Sequence, residues 1–273
     1  MARLLATLLL GLVLVSAATA QGLTVAGDQP TLGLLGPKRA AGALLPGDTY
    51  TLALDVAGLN TDAEGRFRYA VMLRLEDSAG KVLYLDTQDV GPLGNALAGG
   101  KIRHSVQIAT ALDQPPGDYT LKITAVDRGT KAGAAAPEAS LQKKFSVQKP
   151  ELGLVRPQIT ADEGGKVPAP PLGIRGQTLH YSVVVVGFEA DKSGQGNLQV
   201  ELSAQDERGQ TLAAKPISAE FRDIPKETKY LPLRLDLPLT RAGQFKVQLK
   251  ATDLVTKKST MLTLPLKVLD PVE

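Results

Sequence analysis

"PPGDYTLKITAVDRGTK" (Pro115–Lys131) and "RAGQFKVQLKATDLVTKK" (Arg241–Lys258) are two versions of one phrase. Tyr119 in the first lies over Phe245 in the second, a displacement of 126 residues. Behind the aromatic residue, apolar and polar side chains alternate in both versions until an aspartate, and a Thr-Lys pair follows. A phrase that occurs twice at a long spacing indicates a duplicated unit.

Other parts of the chain match in the same way. Three further pairs of segments keep the same order: Gly47–Leu59 over Gly176–Phe188, Arg68–Lys81 over Asn197–Gln210, and "LGLLGP" at Leu32 over "LGLVRP" at Leu152. The first two pairs are displaced by 129 residues, as Gly47 and Gly176 show. Because order is kept over four blocks and only loop lengths change, we interpret the chain as an internal duplication.

Each copy has the pattern of β-structure. In the first phrase Tyr119, Leu121, Ile123 and Ala125 share one parity and the residues between them are polar. Alternation with a period of two is typical of a strand with one buried and one wet face. We predict about seven such strands per copy and no helix. Because each predicted sheet has one apolar and one solvent-facing side, the apolar sides of two sheets must pack against each other. The predicted fold is all-β, with two tandem immunoglobulin-like antiparallel β-sandwich domains.

Two short turns fit this prediction. "EDSAGK" (Glu76–Lys81) and "QDERGQ" (Gln205–Gln210) both place an aspartate three residues before a glycine. A tight hairpin uses the aspartate carboxylate as a local acceptor and the glycine for a positive φ. Both segments are therefore predicted to be hairpin turns at equivalent places in the two copies.

The phrase and the segments that follow it carry a family resemblance. A Gly-x-aromatic start, a long alternating strand, an aspartate and a hairpin to a last strand ("KKFSV", "LPLKV") resemble tandem bacterial immunoglobulin-like and fibronectin type III-like domains. The cysteine pair and core tryptophan of antibody domains are absent. In such folds an aromatic residue at this place often fixes a corner through a hydroxyl. The resemblance implies that role for Tyr119, whereas Phe245 can only pack.

The chain is predicted to have three parts: residues 1–20, 21–148 and 149–273. The first begins with Arg3, continues with an apolar run and ends in Ala18-Thr19-Ala20, the pattern of a secretory signal peptide cleaved after Ala20. An uncleaved anchor helix is the alternative, although the apolar run is short for a membrane span of about 20 residues. The two domains meet at Lys149-Pro150, a short joint that predicts an elongated pair with modest contact and two separate cores.

Composition narrows the location and the partners. With no cysteine, the chain forms no disulfide and carries no lipid-anchored cysteine, which favours a bacterial source over an animal one. The expected location is the periplasm or the outside of the cell, without stable membrane insertion after cleavage. A formal net charge of +3, spread over alternating segments, does not indicate a nucleic-acid surface.

No arrangement of residues predicts catalysis. The sequence has no Gly-x-Ser-x-Gly motif and no cysteine. Ser-x-x-Lys occurs at Ser78–Lys81 and Ser146–Lys149, in a predicted hairpin and at a predicted strand end, whereas a catalytic version begins a helix. We predict no catalytic residue, no cofactor and no bound metal.

The two histidines do not indicate a metal site. His104 shares the inward parity of its strand, so it is expected at the rim of the core with a hydrogen-bonding partner. His180 has outward parity and lies on a strand that does not correspond. A two-histidine metal site would have to bridge the domains.

Two loops imitate the start of a calcium-binding loop. They are "NTDAEG" (Asn60–Gly65) and "DKSGQG" (Asp191–Gly196), at equivalent places in the two copies. The closing bidentate glutamate is missing, because the twelfth positions are Val71 and Leu202, which face the core by parity. Polar glycine-containing loops are also ordinary solvent-exposed turns. Whether they bind calcium stays open at this point.

Two longer loops are candidate recognition segments. "GTKAGAAAPEAS" (Gly129–Ser140) is a long, Ala-rich hairpin loop where the second copy has only a few residues, and we interpret "ADEGGKVPAPPLG" (Ala161–Gly173) as a Pro-rich insertion that is longer than its counterpart in the first copy. Loops on a rigid sandwich often carry binding residues, but tolerated length variation explains them equally well. Val184 and Val186 put apolar groups on an outward face, where we expect them to touch the other domain, the Pro-rich segment or a partner.

The sequence therefore predicts an exported, non-enzymatic binding or structural module whose partner is another envelope or extracellular protein. Two alternatives stay open. One is a periplasmic chaperone-like pair of sandwiches, for which the sequence identifies no basic anchor. The other is an accessory subunit of an enzyme or transport system. The sequence does not indicate the ligand or the oligomeric state.

Overall fold

In the computed structural model, the described residues are 22–27, 29–40, 43–96, 100–129 and 135–271. The predicted signal peptide lies outside them. Every regular element in the described residues is a β-strand. The described residues of the first repeat form eight strands: β1 (Thr24–Gly27), β2 (Ala43–Leu44), β3 (Thr49–Ala57), β4 (Arg66–Asp77), β5 (Val82–Gly94), β6 (Lys101–Ala109), β7 (Gly117–Asp127) and β8 (Glu138–Val147).

The second repeat contains eight strands in the same order. They are β9 (Gly153–Thr160), β10 (Leu172–Ile174), β11 (Thr178–Val186), β12 (Gln195–Asp206), β13 (Ile217–Pro225), β14 (Tyr230–Pro238), β15 (Gly243–Asp253) and β16 (Ser259–Leu269). The repeated phrases, Pro115–Lys131 and Arg241–Lys258, contain β7 and β15, as their alternation predicts.

Each repeat is a sandwich of a three-stranded and a five-stranded sheet. The order is β1-β3-β6 against β2-β8-β7-β4-β5 in the first repeat, and β9-β11-β14 against β10-β16-β15-β12-β13 in the second. Strand pairs are antiparallel except β2–β8 and β10–β16. This arrangement of two packed antiparallel sheets is the immunoglobulin-like sandwich that the sequence predicts. Each repeat has eight strands rather than about seven, because its first segment divides between the two sheets.

The strand pairing shows that the internal duplication also includes the first strand of each repeat, β1 and β9. Thr24 pairs with Ala57, and Gly153 pairs with Val186, so the first strands are also displaced by 129 residues. The sequence match of "LGLLGP" to "LGLVRP" is therefore wrong. Leu32–Pro37 forms a loop after β1, whereas Leu152–Pro157 leads into and forms most of β9.

The Pro-rich segment is not an insertion. Thr31 bridges Thr51 and Thr160 pairs with His180, at the same displacement of 129. The next strands, β2 and β10, keep nearly that spacing, so residues 161–173 have a counterpart of equal length in the first repeat. The segment has the appearance of an insertion only when "LGLLGP" at Leu32 is aligned with "LGLVRP" at Leu152, two segments with similar sequences and different structures.

Each repeat has its own hydrophobic core, which is formed by the residues that the alternation predicts to face inward. Tyr50, Leu52, Leu121 and their inward neighbours form one buried cluster, and residues of the second repeat form another. Among the described residues, no buried side chain belongs to both. Both cores lie between the sheets of their own repeat. Leu32, from the loop after β1, is the exception among the half-buried residues, because it packs against the second core.

The corner before β7 is held by a tyrosine hydroxyl. Tyr119 Oη donates to the Pro115 carbonyl at 2.6 Å and accepts from Gln114 Nε2 at 2.8 Å. The ring is buried and stacks on Phe145 with a centroid distance of 5.6 Å. The predicted role of Tyr119 is confirmed, and Phe245 packs in the second core without a hydroxyl.

We expect Tyr119→Phe to lower the free energy of unfolding of the first repeat by about 1–2 kcal/mol, since it removes both partly buried hydrogen bonds of the hydroxyl and leaves the Pro115 carbonyl without that donor. Denaturant unfolding of the full chain measures the change. Tyr230→Phe, at an exposed ring on β14, is the matched control and should have no such effect. Equal effects of the two substitutions would contradict the role of the corner.

Candidate functional site at the junction of the repeats

The two repeats meet along β9 and the turn before β3. Leu45 lies against Gly153, where a Cβ atom would collide with the Leu45 side chain, and Val186 lies beside the same glycine. Pro46 and Val186 are buried at this junction. Of the three contacts left open for Val186, the one with the other domain forms, because its Cγ1 lies 3.7 Å from the position that a Cβ would take on Gly47. Val184 is half-buried in β11.

A buried carboxylate joins the repeats. Asp48 Oδ2 accepts a hydrogen bond from Arg39 Nη1 at 2.8 Å, and its Oδ1 accepts from the backbone N–H groups of Thr49 at 2.7 Å and Arg156 at 2.9 Å. Arg156 Nε also donates to the Gly47 carbonyl at 2.6 Å. The Asp48 side chain is 4% exposed and that of Arg39 is 12% exposed. A buried ion pair of this kind needs such additional hydrogen bonds to offset its desolvation.

The backbone of Arg156 is shaped for this contact. Its φ of 52° is in the left-handed region, which side chains other than glycine seldom adopt. The pairing of β9 with β11 shifts register between Ser182 and Val184, so Arg156 lies at a bulge. A bulge turns a residue out of the regular ladder, and here it points both the amide and the guanidinium of Arg156 at the first repeat.

A cleft of about 810 Å³ opens beside this junction. Its apolar wall combines both repeats: Pro46, Leu112, Pro150, Val186 and Phe188. Leu112 lies in the turn between β6 and β7 and is 38% exposed. Clefts between domains that combine apolar walls with a few polar groups are common binding sites.

The rim of the cleft is charged with both signs. Lys226 and Lys229 lie in the turn between β13 and β14, where Lys229 Nζ donates to the Lys226 carbonyl at 3.2 Å. Asp113, Glu151 and Glu227 line the same cleft. An apolar wall between fixed charges can hold a peptide segment that carries both apolar and charged side chains.

The described residues of the two candidate recognition loops, 129–140 and 161–173, do not line the cleft. Residues 130–134 of the Ala-rich loop lie outside the described residues, and the described remainder of residues 129–140 continues into β8. Residues 161–173 run past β9 into β10 and are also absent from the lining of the cleft.

The histidines lie as the sequence predicts. His104 is half-buried at the core's rim, where Nδ1 is 3.2 Å from Tyr69 Oη and Nε2 is 3.0 Å from Gln88 Oε1. Burial lowers the pKa of His104 below its usual value, so the neutral ring is favoured. His180 Nδ1 is 2.6 Å from Asp236 Oδ1 on the outer side of β11.

The calcium-like loops use their aspartates to close turns. Asp62 Oδ1 accepts from the amides of Glu64 and Arg66, and Asp191 Oδ1 accepts from the amide of Ser193 at 2.8 Å and that of Gln195 at 3.0 Å. A backbone hydrogen bond from Arg66 is the main reason that the pKa of Asp62 lies below its usual value. In the described part of the chain, no group of three histidine, cysteine, aspartate or glutamate side chains could hold a metal ion.

The predicted hairpins form with the same chemistry. Asp77 Oδ1 accepts from the amides of Ala79 and Lys81, each at 2.9 Å, and Gly80 has a φ of 79°. Asp206 and Gly209 repeat this arrangement in the second copy. Ser78 therefore lies in a turn, as the sequence predicts for the Ser-x-x-Lys motif, and Ser146 lies in β8.

The aspartates that end the repeated phrase are buried acceptors for a neighbouring loop. Asp127 Oδ2 accepts from the backbone and the side chain of Asn60 at 2.8 and 2.7 Å. Asp253 accepts from the amide of Glu189 and from Thr256 Oγ1 at 3.1 and 2.8 Å. Burial raises the pKa of Asp253, but the hydrogen bonds together outweigh it, and the pKa lies below its usual value. The repeated aspartate is thus explained by architecture.

Sequence reasoning missed Asp48, Arg156 and Leu112. Asp48 belongs to "PGDT", which has the appearance of an ordinary turn, and its partner Arg156 is more than one hundred residues away in the sequence. The one available signal was Leu112, an apolar residue in the otherwise polar turn "ALDQPPGD".

Comparison of the chain with known proteins does not assign it to a family. No family model matches the chain, and no curated protein matches it. Two similar solved structures are the C-terminal domain of the AgI/II polypeptide BspA from Streptococcus agalactiae, with a TM-score of 0.28, and a structure described as BspA_C_WT, with a TM-score of 0.27. Each is 11% identical; they cover 90% and 89% of this chain and 99% of their own chains. Within the described part of the chain, there is no helix with the length and apolar character needed to cross a membrane.

Proposed function

We propose that the chain is an exported, non-enzymatic binding module that engages another envelope or extracellular protein at the junction cleft. It would act in the periplasm or outside the cell after cleavage behind Ala20. Its two domains, residues 21–148 and 149–273, would be relatives of bacterial immunoglobulin-like or fibronectin type III-like modules.

The observation that carries this proposal is the apolar wall of the cleft, which both repeats build and which the Asp48 hydrogen bonds hold in place. Leu112 stays 38% exposed beside Val186 and Phe188. An apolar surface that is already fixed in shape binds with a smaller ordering cost than a flexible one. A protein segment with one or two apolar anchors and flanking charges suits this cleft.

The test is capture from envelope extracts of the source organism by the immobilised mature chain. We expect Leu112→Glu to reduce recovery of the captured partner at least about tenfold, because it places a charge against the apolar wall. Met261→Glu, at an exposed residue of β16, is the control and should leave recovery unchanged. If Leu112→Glu captures the same proteins in the same amounts, the cleft is not the binding site.

A chaperone-like role is the second candidate, and the two cleft lysines are the observation that favours it. Lys226 and Lys229 provide cations where a client's carboxylate would need an anchor. The double variant Lys226→Glu, Lys229→Glu would then abolish capture. Capture that depends on Leu112 but not on these lysines would argue against the chaperone-like role and support the binding module.

A further inference from the structure

β5 is an unusually open sheet edge. It is the last strand of the five-stranded sheet of the first repeat, and among the described strands it pairs with β4 alone. Its thirteen residues include exposed apolar side chains, of which Leu85 is 65% exposed. Leu83, Tyr84 and Leu93 are exposed as well. A long, apolar edge presents unpaired N–H and C=O groups and is a template for another strand.

The equivalent edge of the second repeat is protected. β13 has nine residues, because residues 211–216 form a loop where β5 already runs as a strand. Glu220 and Arg222 form an ion pair at 2.7 Å along it, and Asp223 has a φ of 55°. Charges and irregular backbone are devices that prevent pairing at an edge. Of these two equivalent edges, β5 and β13, only that of the first repeat is therefore open along its length.

The regular part of β5 carries charge of one sign. Tyr84–Val90 pairs with β4 without interruption, between register shifts at either end. It contains Asp86 and Asp89 and no lysine or arginine. Asp86 and Asp89 have opposite parity, so the strand carries a carboxylate on each face, and Arg128, which follows β7, lies 3.9 Å from Asp89 Oδ1 through its Nε. If two copies of this chain paired here, both strands would bring these carboxylates and neither would bring a lysine or arginine of its own. Like charges on facing strands oppose pairing, so charge complementarity favours a basic partner strand over a second copy.

We propose that β5 of the first repeat binds an extended, basic segment of a partner protein by strand addition. The added strand would place lysine or arginine opposite Asp86 and Asp89 and apolar or β-branched residues opposite Leu85 and Thr87. Backbone hydrogen bonds to the edge would supply affinity, and the side chains would supply selectivity. None of the residues that line the junction cleft belongs to β5, so this surface is separate from the proposed cleft site.

The experiment uses two synthetic peptides matched to Tyr84–Val90 and the full mature chain. The first is acetyl-Val-Lys-Thr-Val-Lys-Val-Thr-amide, and the second has glutamate in place of both lysines. At low ionic strength, where charge pairs are least screened, we expect the lysine peptide to bind about tenfold or more tightly than the glutamate peptide. Hydrogen exchange should slow at Tyr84–Val90 when the lysine peptide is bound.

Charge reversal on the edge provides the matched variant. The double variant Asp86→Lys, Asp89→Lys should reverse the preference in favour of the glutamate peptide, while Glu220→Lys on β13 should leave it unchanged. Equal binding of the two peptides, or exchange that slows elsewhere, would overturn the proposal. So would dimerisation of the unmodified chain that protects Tyr84–Val90, since the occupant would then be a second copy.

Discussion

Asp48→Ala is expected to lower the free energy of unfolding of the first repeat by about 3 kcal/mol, because it leaves a buried arginine without its counter-charge. The Arg39 guanidinium would retain a long hydrogen bond of 3.4 Å from Nη2 to the Thr49 carbonyl. The amide of Arg156 would also lose its acceptor in the other repeat. The same substitution should therefore loosen the junction as well as destabilise the first repeat.

Hydrogen exchange, measured peptide by peptide, would show faster exchange in β3 and at residues 153–158 of β9. Residual dipolar couplings of the two repeats would report the loss of their fixed orientation. The matched control is Asp55→Ala, which breaks an exposed ion pair with Arg103 at 3.3 Å and should cost no more than about 1 kcal/mol. Unchanged couplings in the Asp48→Ala protein would show that the carboxylate does not fix the junction.

Ile123→Ala should destabilise the first repeat by about 3 kcal/mol and leave the second almost unchanged, because a buried cavity costs stability where it forms. Ile123 is fully buried in the first core, and its equivalent, Leu249, is buried in the second. Leu249→Ala should give the reverse result. The expectation depends on the separation of the two buried clusters.

Exchange rates in β4, β7 and β8 report the first core, and those in β12, β15 and β16 report the second. Thr124→Ala, at a partly exposed position next to Ile123, is the control for effects on the strand itself. A single substitution that accelerates exchange equally in both repeats would mean that the cores unfold as one unit.

Much of this fold follows from alternation in the sequence. Tyr119 to Ala125 point inward at every second position, and the aspartate and glycine of each hairpin lie where a tight turn needs them. These features depend on residues that are close in the sequence, so they are visible without coordinates. The corner hydroxyl of Tyr119 was predictable for the same reason, since its acceptor is four residues away.

The junction could not be predicted in this way. Its contacts join Asp48 and Gly47 to Arg156, over separations of 108 and 109 residues. A bulge turns Arg156 away from its own sheet, so parity gives the wrong guidance at that residue. The false match of Leu32 to Leu152 could not be recognised from the sequence either. Both leucines pack against the second core, but Leu32 lies in a loop and Leu152 lies directly before a strand, and the similar sequences do not reveal that difference.

The bulge at Arg156 has a consequence for how two such similar neighbours assemble. Adjacent repeats with matching registers can exchange equivalent strands while they fold, which is a characteristic failure of multidomain chains. The position equivalent to Arg156 in the first repeat is Gly27, which has no guanidinium to donate. A chain that seated β1 in the place of β9 would forfeit that donor, so Arg156 biases the competition toward correct partnering.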